Sequence, residues 1–207
     1  FPTLMALAGG ALLVSAYDDL DAYSGTPMGL YSWSLENGLT WTSTPQSAPF
    51  SECGTTLDSG EQLLLPYRLY PTVNGMAAPA ALVPVGQQKI RVDEREVRVT
   101  GWPQIPQTQG NEAPGEVVTG GFSFNGQVVR LANSSYMTTL YGRFVGETRY
   151  SLVAVVSENG FDWVVRSIIA DSNCPLPGGE GPCEAALTRL PDNRLMCVFR
   201  MDGNFDN

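Results

Sequence analysis

The sequence contains no histidine and only one lysine, Lys89, among its 207 residues. Without histidine the chain lacks the base of a Ser-His-Asp triad and the commonest side-chain ligand of zinc. Carboxylates and tyrosines are left for acid–base chemistry, and neither a metal nor another cofactor is expected. The formal net charge of −9 argues against a surface for nucleic acid or for an anionic membrane.

Long apolar segments are also missing. No run reaches the roughly 18 apolar residues that a membrane span needs, so no span is expected. Segment 4–16 is interrupted by Gly9 and Gly10 and follows no basic region, which predicts a hairpin rather than a signal peptide. The other apolar runs are short, and 22 glycines and 15 prolines supply many turns. This pattern predicts an all-β chain.

The four cysteines define no disulfide framework by number alone. Cys174 and Cys183 bracket a loop rich in proline and glycine, and they can pair in an oxidising compartment. Cys53 and Cys197 lie far apart in the sequence and are expected to be free thiols.

One short pattern recurs along the chain: a leucine, a tight turn and a second apolar pair. It begins at Leu7, Leu57, Leu131 and Leu190, with steps of 50, 74 and 59 residues. Uneven periods of this size are typical of a β-propeller, in which each blade is a four-stranded sheet with loops of variable length.

A second pattern occurs twice, as Glu-Asn-Gly-Leu-Thr-Trp at 36–41 and Glu-Asn-Gly-Phe-Asp-Trp at 158–163. Asn-Gly supplies the positive backbone dihedrals of a tight turn, and the tryptophan is expected to fold back and bury its ring between strands. Two unrelated hairpins are the alternative, which a six-position match that includes tryptophan disfavours.

The final hairpin carries a carboxylate and a guanidinium near its open end. Pro191-Asp192-Asn193 forms the predicted turn, and Glu184 and Arg200 lie eight residues on either side of Asp192. Residues equally far from a hairpin turn face each other, so both side chains are expected at the same end of the sheet. From the residues alone, a surface ion pair explains this spacing as well as a site does.

Segment 34–41, Ser-Leu-Glu-Asn-Gly-Leu-Thr-Trp, resembles the Asp-box of the sialidase (neuraminidase) superfamily, Ser-x-Asp-x-Gly-x-Thr-Trp. Glu36 stands where the aspartate is usual. In the second copy, Val156 takes the serine position and Asp162 the threonine position. Asp-boxes are structural turns on the propeller rim, so the resemblance implies a fold rather than an activity.

The first hairpin resembles the family's first blade. Phe1-Pro2 stands at the Ile-Pro positions of an Arg-Ile-Pro motif, and the family's acid/base aspartate lies on the loop after the second strand. Asp18, Asp19 and Asp21 occupy that loop, and the spacing to Ser34 favours Asp21. An acidic, solvated loop is the alternative.

The hairpin of Glu184 and Arg200 carries the closest resemblance, because sialidases place an arginine sixteen residues after a glutamate in this arrangement, as here. In the family the glutamate removes the proton of a tyrosine nucleophile, and the arginine is one of three that bind the substrate carboxylate. Sialidases are the tyrosine exception to the two-carboxylate scheme of glycosidases. Arg68 and Arg143 are further candidates for a pocket role, although an arginine at a strand end is more often solvated.

The resemblance implies a six-bladed, sialidase-like β-propeller, of which 207 residues hold about three to four blades. The approximate blades are 1–50, 51–120, 121–180 and an incomplete 181–207. None of Tyr136, Tyr141 and Tyr150 is assigned as the nucleophile, because the family's tyrosine follows the glutamate. A second chain or a further segment is expected to complete the ring.

The predicted function is removal of terminal sialic acid from glycans, with Glu184 and Asp21 as catalytic residues and Arg200 binding the substrate. The expected partners are sialylated or other acidic glycans, and the expected location is extracellular or at the cell surface. A non-catalytic propeller that binds glycans or serves as a structural surface module is the alternative. A glycosidase of the same fold with another substrate is the third interpretation.

Overall fold

The computed structural model of the chain describes residues 2–17, 27–107, 121–174 and 179–202. These residues form fifteen β-strands and one short 3-10 turn, Ala8–Gly10, without an α-helix. Nowhere in these ranges is there a helix long and apolar enough to cross a membrane.

The first sheet is an antiparallel meander of four neighbouring strands. Its strands are β1 (Pro2–Ala6), β2 (Leu12–Tyr17), β3 (Met28–Ser34) and β4 (Gln46–Pro49). The second unit contains β5 (Cys53–Thr56), β6 (Gln62–Leu65), β7 (Tyr70–Thr72), β8 (Gly75–Val83) and β9 (Arg91–Thr100). Here β5, β6, β8 and β9 form the four-stranded meander, and β7 adds to β8.

The third unit is a meander of β10 (Ser123–Arg130), β11 (Tyr136–Gly142), β12 (Ser151–Ser157) and β13 (Asp162–Ala170). A fourth unit begins with the hairpin of β14 (Gly181–Arg189) and β15 (Leu195–Asp202). A short parallel pairing, from Asp162 with Arg98 to Val164 with Thr100, joins the outer strands β13 and β9. The predicted all-β propeller is therefore confirmed, as three blades and the first hairpin of a fourth.

The leucine turns connect the first two strands of every blade, and all four have the same hydrogen bonds. Each leucine N–H donates to the carbonyl four residues later, and each leucine carbonyl accepts from the N–H three residues later, at 2.8–3.3 Å. The third residue after the leucine has a positive φ of 68–85° in every copy; these residues are Gly10, Gly60, Ser134 and Asn193. The sequence repeat is thus a repeat of backbone geometry.

The two Asn-Gly turns connect the third and fourth strands of blades one and three. In the first, Gly38 N–H donates to Ser34 Oγ at 2.8 Å, and Trp41 Nε1 donates to the Gly38 carbonyl at 3.1 Å. In the second, Trp163 Nε1 donates to the Gly160 carbonyl at 2.7 Å.

The serine of the second turn is Ser157, whose Oγ accepts from Gly160 N–H at 2.9 Å. The alignment that gave this position to Val156 is wrong by one residue. The segment from the serine to the turn glycine is one residue shorter in the second turn than in the first. Trp163 is only 1% exposed and packs on Phe124 between blades two and three, whereas Trp41 is 40% exposed. The described residues place no sheet against the outer side of Trp41.

Two hydrophobic clusters hold the blades face to face. The larger lies between blades two and three and includes Leu63, Val97, Phe124 and Trp163. The smaller lies between blades one and two, around Trp33. Burying both faces of a sheet in this way is what stabilises a propeller, since each blade covers its neighbour.

The first strands of blades three and four approach closely at Gly126. A Cβ atom at this position would lie 2.2 Å from the Ala185 carbonyl oxygen, and the φ of Gly126 is +85°. Gly146 has the same backbone conformation, with a φ of +87°, but has open space around it.

The pair of substitutions Gly126→Ala and Gly146→Ala separates backbone strain from crowding. Gly146→Ala is expected to lower the free energy of unfolding by about 1 kcal/mol, because alanine disfavours a positive φ. Gly126→Ala is expected to cost roughly a further 1–3 kcal/mol, because the methyl group pushes blades three and four apart. Urea titrations of both variants measure the difference, and equal losses would contradict the close contact.

Candidate active site at the channel mouth

The first strands of the four blades surround a central cleft of about 510 Å³. Its lining comes from β1, from the residues that open β5, from the middle of β10 and from the first half of β14, together with Gln62 at the start of β6. Three polar side chains from different blades, Glu52, Asn125 and Glu184, line this cleft. We call these three residues the channel mouth.

Glu184 occupies a β-bulge. In the hairpin, Cys183 pairs with Arg200 and Ala185 pairs with Phe199, so Glu184 is the extra residue. Its φ of +43° lies in the left-handed region, which is rare for glutamate. The bulge frees Glu184 from the ladder and re-aims its side chain.

Arg200 binds two carboxylates. Its Nε lies 2.6 Å from Glu184 Oε2, and its Nη2 lies 3.2 Å from both Glu184 Oε1 and Glu180 Oε2. The Glu184 side chain is 33% exposed and that of Arg200 is 41% exposed, so water and a ligand reach both. The structure therefore brings together the two residues that the hairpin spacing paired.

Glu52 is a site residue that the sequence analysis did not identify. It lies directly before β5, it lines the cleft, and its Oε2 accepts a hydrogen bond from Asn125 Nδ2. Burial raises the pKa of Glu52 to about 7, the Asn125 hydrogen bond opposes the rise, and the charge of Glu184 adds to it. Glu52 thus changes charge near neutral pH.

Three tyrosines lie next to this region. The hydroxyls of Tyr67 and Tyr141 are 3.1 Å apart, and the Tyr141 ring packs edge-on against Tyr150 at 5.2 Å between centroids. The Arg143 guanidinium lies 5.1 Å from the centroid of the Tyr150 ring. Burial raises the pKa of Tyr67 to about 12 and raises the pKa of Tyr141 well above its ordinary value, so neither phenol is an activated nucleophile.

The other predicted residues have different outcomes. Asp21, with Asp18 and Asp19, lies outside the described residues. Arg68 is buried, pairs through its backbone with Ser123 at the start of β10, and is not a solvated surface arginine. Within the described ranges no group of three or more Cys, Asp or Glu side chains is placed to hold a metal ion.

All four cysteines carry free thiols, so Cys174 and Cys183 are not paired. Cys183 is buried, and its Sγ donates instead to the Arg200 carbonyl at 3.8 Å. This contact holds the backbone of Arg200 beside the bulge.

The turn leucines contain the signal that locates Glu52. Glu52 lies five residues before Leu57, and Glu184 lies six residues before Leu190. The second interval is one residue longer because Glu184 is the extra residue of the bulge. Counting back six from Leu131 gives Asn125. Aligning the blades on their turns thus places these residues only to within one position, because the bulge is not visible in the sequence.

No protein-family model matches the chain, and no curated protein matches it in sequence. Solved structures do match its fold at low identity. A protein of unknown function from Dyadobacter fermentans is 16% identical with a TM-score of 0.56, over 100% of this chain and 63% of that one. The chain thus spans less than two thirds of that protein's length.

Two kinds of glycosidase share the fold. An alpha-L-arabinanase of Penicillium chrysogenum complexed with arabinobiose is 14% identical with a TM-score of 0.57, over 96% of this chain and 56% of that one. The Trypanosoma rangeli sialidase, as a covalent intermediate with 2,3-difluorosialic acid, is 15% identical with a TM-score of 0.54. The match covers 98% of this chain and 34% of the sialidase chain. The chain has the β-propeller fold of such glycosidases.

Glu52→Gln is expected to stabilise the protein above pH 7. The folded state releases the Glu52 proton at a pKa of about 7, whereas the unfolded chain releases it near the ordinary 4.5. Stability that the neutral carboxyl contributes is therefore present below pH 4.5 and is lost as the pH rises to 7. Glutamine stays neutral, so the variant should gain on the order of 1–2 kcal/mol at pH 8, after a discount for solvent screening.

Urea unfolding at pH 4 and pH 8 measures this difference, and the gain should vanish at pH 4. Glu94→Gln, an exposed glutamate on the outer strand β9 of the same blade, is the matched control. A gain at both pH values would mean that the ionisation of Glu52 is not its cause.

Proposed function

We propose that the protein is a sialidase-like glycoside hydrolase that removes terminal sialic acid, or a related acidic sugar, from glycans. The observation that carries this proposal is the ion pair of Glu184 and Arg200 at the channel mouth. Retention through a tyrosyl intermediate would follow, with the tyrosine on a second chain or further segment that completes the ring.

Arg200 is the proposed ligand of the substrate carboxylate. A guanidinium offers two parallel N–H donors that match the two oxygens of a carboxylate, which is the charge that distinguishes sialic acids from neutral sugars. Arg200 contacts Glu180 and Glu184, and its side chain is 41% exposed.

Glu184 is the proposed base for the tyrosine nucleophile. A phenol with its ordinary pKa near 10 is a poor nucleophile at neutral pH, and a carboxylate within reach makes it competent. The bulge supports this role, because a strained residue that leaves the ladder is more common at functional sites than in plain hairpins.

The two Asn-Gly turns support the family assignment. Ser34 and Ser157 bind the turn glycines in the same way, and each tryptophan donates back to the same glycine, so the two turns repeat one hydrogen-bond pattern. Glu36 accepts from Thr40 Oγ1 at 3.0 Å, so the acidic residue and the threonine of the motif are in contact. We propose that both turns are divergent Asp-boxes.

Glu184→Gln is expected to lower kcat for a fluorogenic sialoside by about 10²–10⁴, because it removes the base but keeps the shape of the side chain. Arg200→Gln is expected to raise KM as well, because it also removes the carboxylate ligand. Hydrolysis by the full-length protein measures both effects. Asp192→Asn and Arg194→Gln, which change an exposed ion pair at the turn of the same hairpin, are the matched controls.

Sialoside hydrolysis that survives Glu184→Gln unchanged would contradict the role of Glu184. Binding of sialylated glycans without turnover, weakened by Arg200→Gln, would favour the non-catalytic, glycan-binding alternative. A cell-surface or extracellular location is proposed with either function.

Asp21 is the proposed acid/base residue. Asp21→Asn is expected to lower kcat for substrates with poor leaving groups by about 10²–10⁴, because such groups need a proton as they depart. Activated aryl sialosides should lose much less. Asp18→Asn and Asp19→Asn, at neighbouring positions of the sequence, are the controls, and an equal loss in either would move the assignment to that residue.

A second candidate function is hydrolysis of a neutral glycan by two carboxyl groups. The specific observation that favours it is Glu52, which lines the same cleft as Glu184 and holds a proton up to near pH 7. One protonated and one ionised carboxyl group form the usual acid and base of glycosidases. Release of a fluorogenic arabinoside, and not of a sialoside, would support this function.

A further inference from the structure

The turn between the first two strands of blade three contains a sequence pattern that the proposed function does not use. Asn133-Ser134-Ser135 has the form Asn-x-Ser with x other than proline, which is the acceptor pattern for N-linked glycosylation. It is the only such pattern in the 207 residues. Because a three-residue pattern also arises by chance, its place in the fold decides whether it can carry a glycan.

The side chain of Asn133 uses its oxygen in the turn and leaves its amide nitrogen to solvent. Its Oδ1 accepts from Ser135 N–H at 3.3 Å and from Ser135 Oγ at 2.7 Å. Its Nδ2, the atom to which a glycan is attached, donates to none of the described residues. Asn133 and Ser134 are both exposed. A sugar on Nδ2 would therefore displace no contact that the described fold makes.

The other leucine turns show that the backbone does not require an asparagine at this position. The second residue after the leucine is Ser59 in blade two and Asp192 in blade four. The side-chain oxygen of each accepts from the N–H two residues later, at 3.4 and 3.1 Å. Blade one has Gly9 there, without a side chain. Turn geometry thus accounts for an oxygen at this position, but not for an amide with a hydroxyl two residues later.

This turn lies at the end of the propeller away from the channel mouth. Asn125, which lines the cleft, is the third residue of β10, whereas Asn133 follows the last residue of that strand, Arg130. The strand from Asn125 to Arg130 extends roughly 15 Å at the usual rise per residue. A glycan on Asn133 therefore begins far from the cleft and leaves it open.

We propose that Asn133 is an N-glycosylation site that carries an oligosaccharide in the natural protein. This inference goes beyond the proposed function, since it uses the proposed extracellular or cell-surface location and none of the catalytic roles. The donor is a lipid-linked oligosaccharide diphosphate. Nδ2 forms a bond to the anomeric carbon of the first sugar, the bond from that carbon to the lipid diphosphate breaks, and the amide loses one proton.

Mass spectrometry of the natural full-length protein tests the proposal directly. The peptide that contains Asn133 should carry the mass of an oligosaccharide. Peptide-N-glycosidase in water labelled with heavy oxygen should remove this mass and convert Asn133 to an aspartate that contains the label. An Asn133 that is found only unmodified in the natural protein would overturn the inference.

Variants secreted from a eukaryotic cell line test the three-residue pattern. Ser135→Ala and Asn133→Asp should each abolish the mass shift, and Asn133→Asp keeps an oxygen for the turn, as Asp192 does in blade four. A shift that survives either substitution would place the glycan elsewhere and overturn the assignment. The double substitution of Asp192→Asn with Arg194→Ser completes the same pattern in the corresponding turn of blade four, and it should add a second glycan.

Gln127→Ser is the contrasting variant, because it completes the pattern at Asn125. There the amide Nδ2 is already used, since it donates to Glu52, and Asn125 is only 9% exposed. Secreted, folded protein with Gln127→Ser should therefore carry a glycan on Asn133 and none on Asn125. Equal modification of the two asparagines would contradict the argument from the free amide of Asn133.

Discussion

Every feature of the site depends on the packing of one blade against the next. A four-stranded sheet has two apolar faces, and the chain covers them by stacking blades so that hydrophobic clusters lie between them. This stacking turns the first strand of each blade toward a common axis. Since all first strands run in the same direction, the residues that open them meet at one end, which is how Glu52, Asn125 and Glu184 meet across 132 residues of sequence, from 52 to 184.

Stability does not explain the ion pair at that end. A pair whose side chains are 33% and 41% exposed contributes about 0–1 kcal/mol. A glutamate with a φ of +43° costs about 1–3 kcal/mol in backbone strain. The bulged pair therefore does not stabilise the fold, and its position beside the cleft gives a better account of why the hairpin contains it.

Short sequence patterns predicted more of this structure than patterns that join distant parts of the chain. Three predictions depend on fewer than about twenty neighbouring residues and on backbone chemistry: the leucine turns, the Asn-Gly turns, and the pairing of Glu184 with Arg200 across the hairpin. The serine of the second Asn-Gly turn was misplaced by one residue, because a one-residue difference in turn length is invisible when only the Asn-Gly pair is aligned. Trp41 and Trp163 differ in burial although their turns match, because burial depends on the neighbouring blade.

Glu52 was missed for a related reason. A single glutamate before a short strand has no local signature. Its raised pKa comes first from burial, while the hydrogen bond from Asn125 opposes the rise and the charge of Glu184 adds to it. Asn125 and Glu184 both lie on other blades. Asp21 lies outside the described residues, and its role remains a prediction. The blade ranges and the tyrosine nucleophile likewise remain predictions.

Between the two proposed functions, the choice of an acidic or a neutral sugar is an electrostatic question at the channel mouth. The fold itself does not decide it, because solved structures of sialidases and arabinanases match the chain about equally well. The proposed sialidase uses Glu184 together with Arg200, which also contacts Glu180. The proposed hydrolysis of a neutral glycan uses Glu184 together with a protonated Glu52 on the wall of the same cleft. The two proposals therefore differ in the partner that Glu184 uses, a guanidinium for an acidic sugar and a carboxyl group for a neutral one.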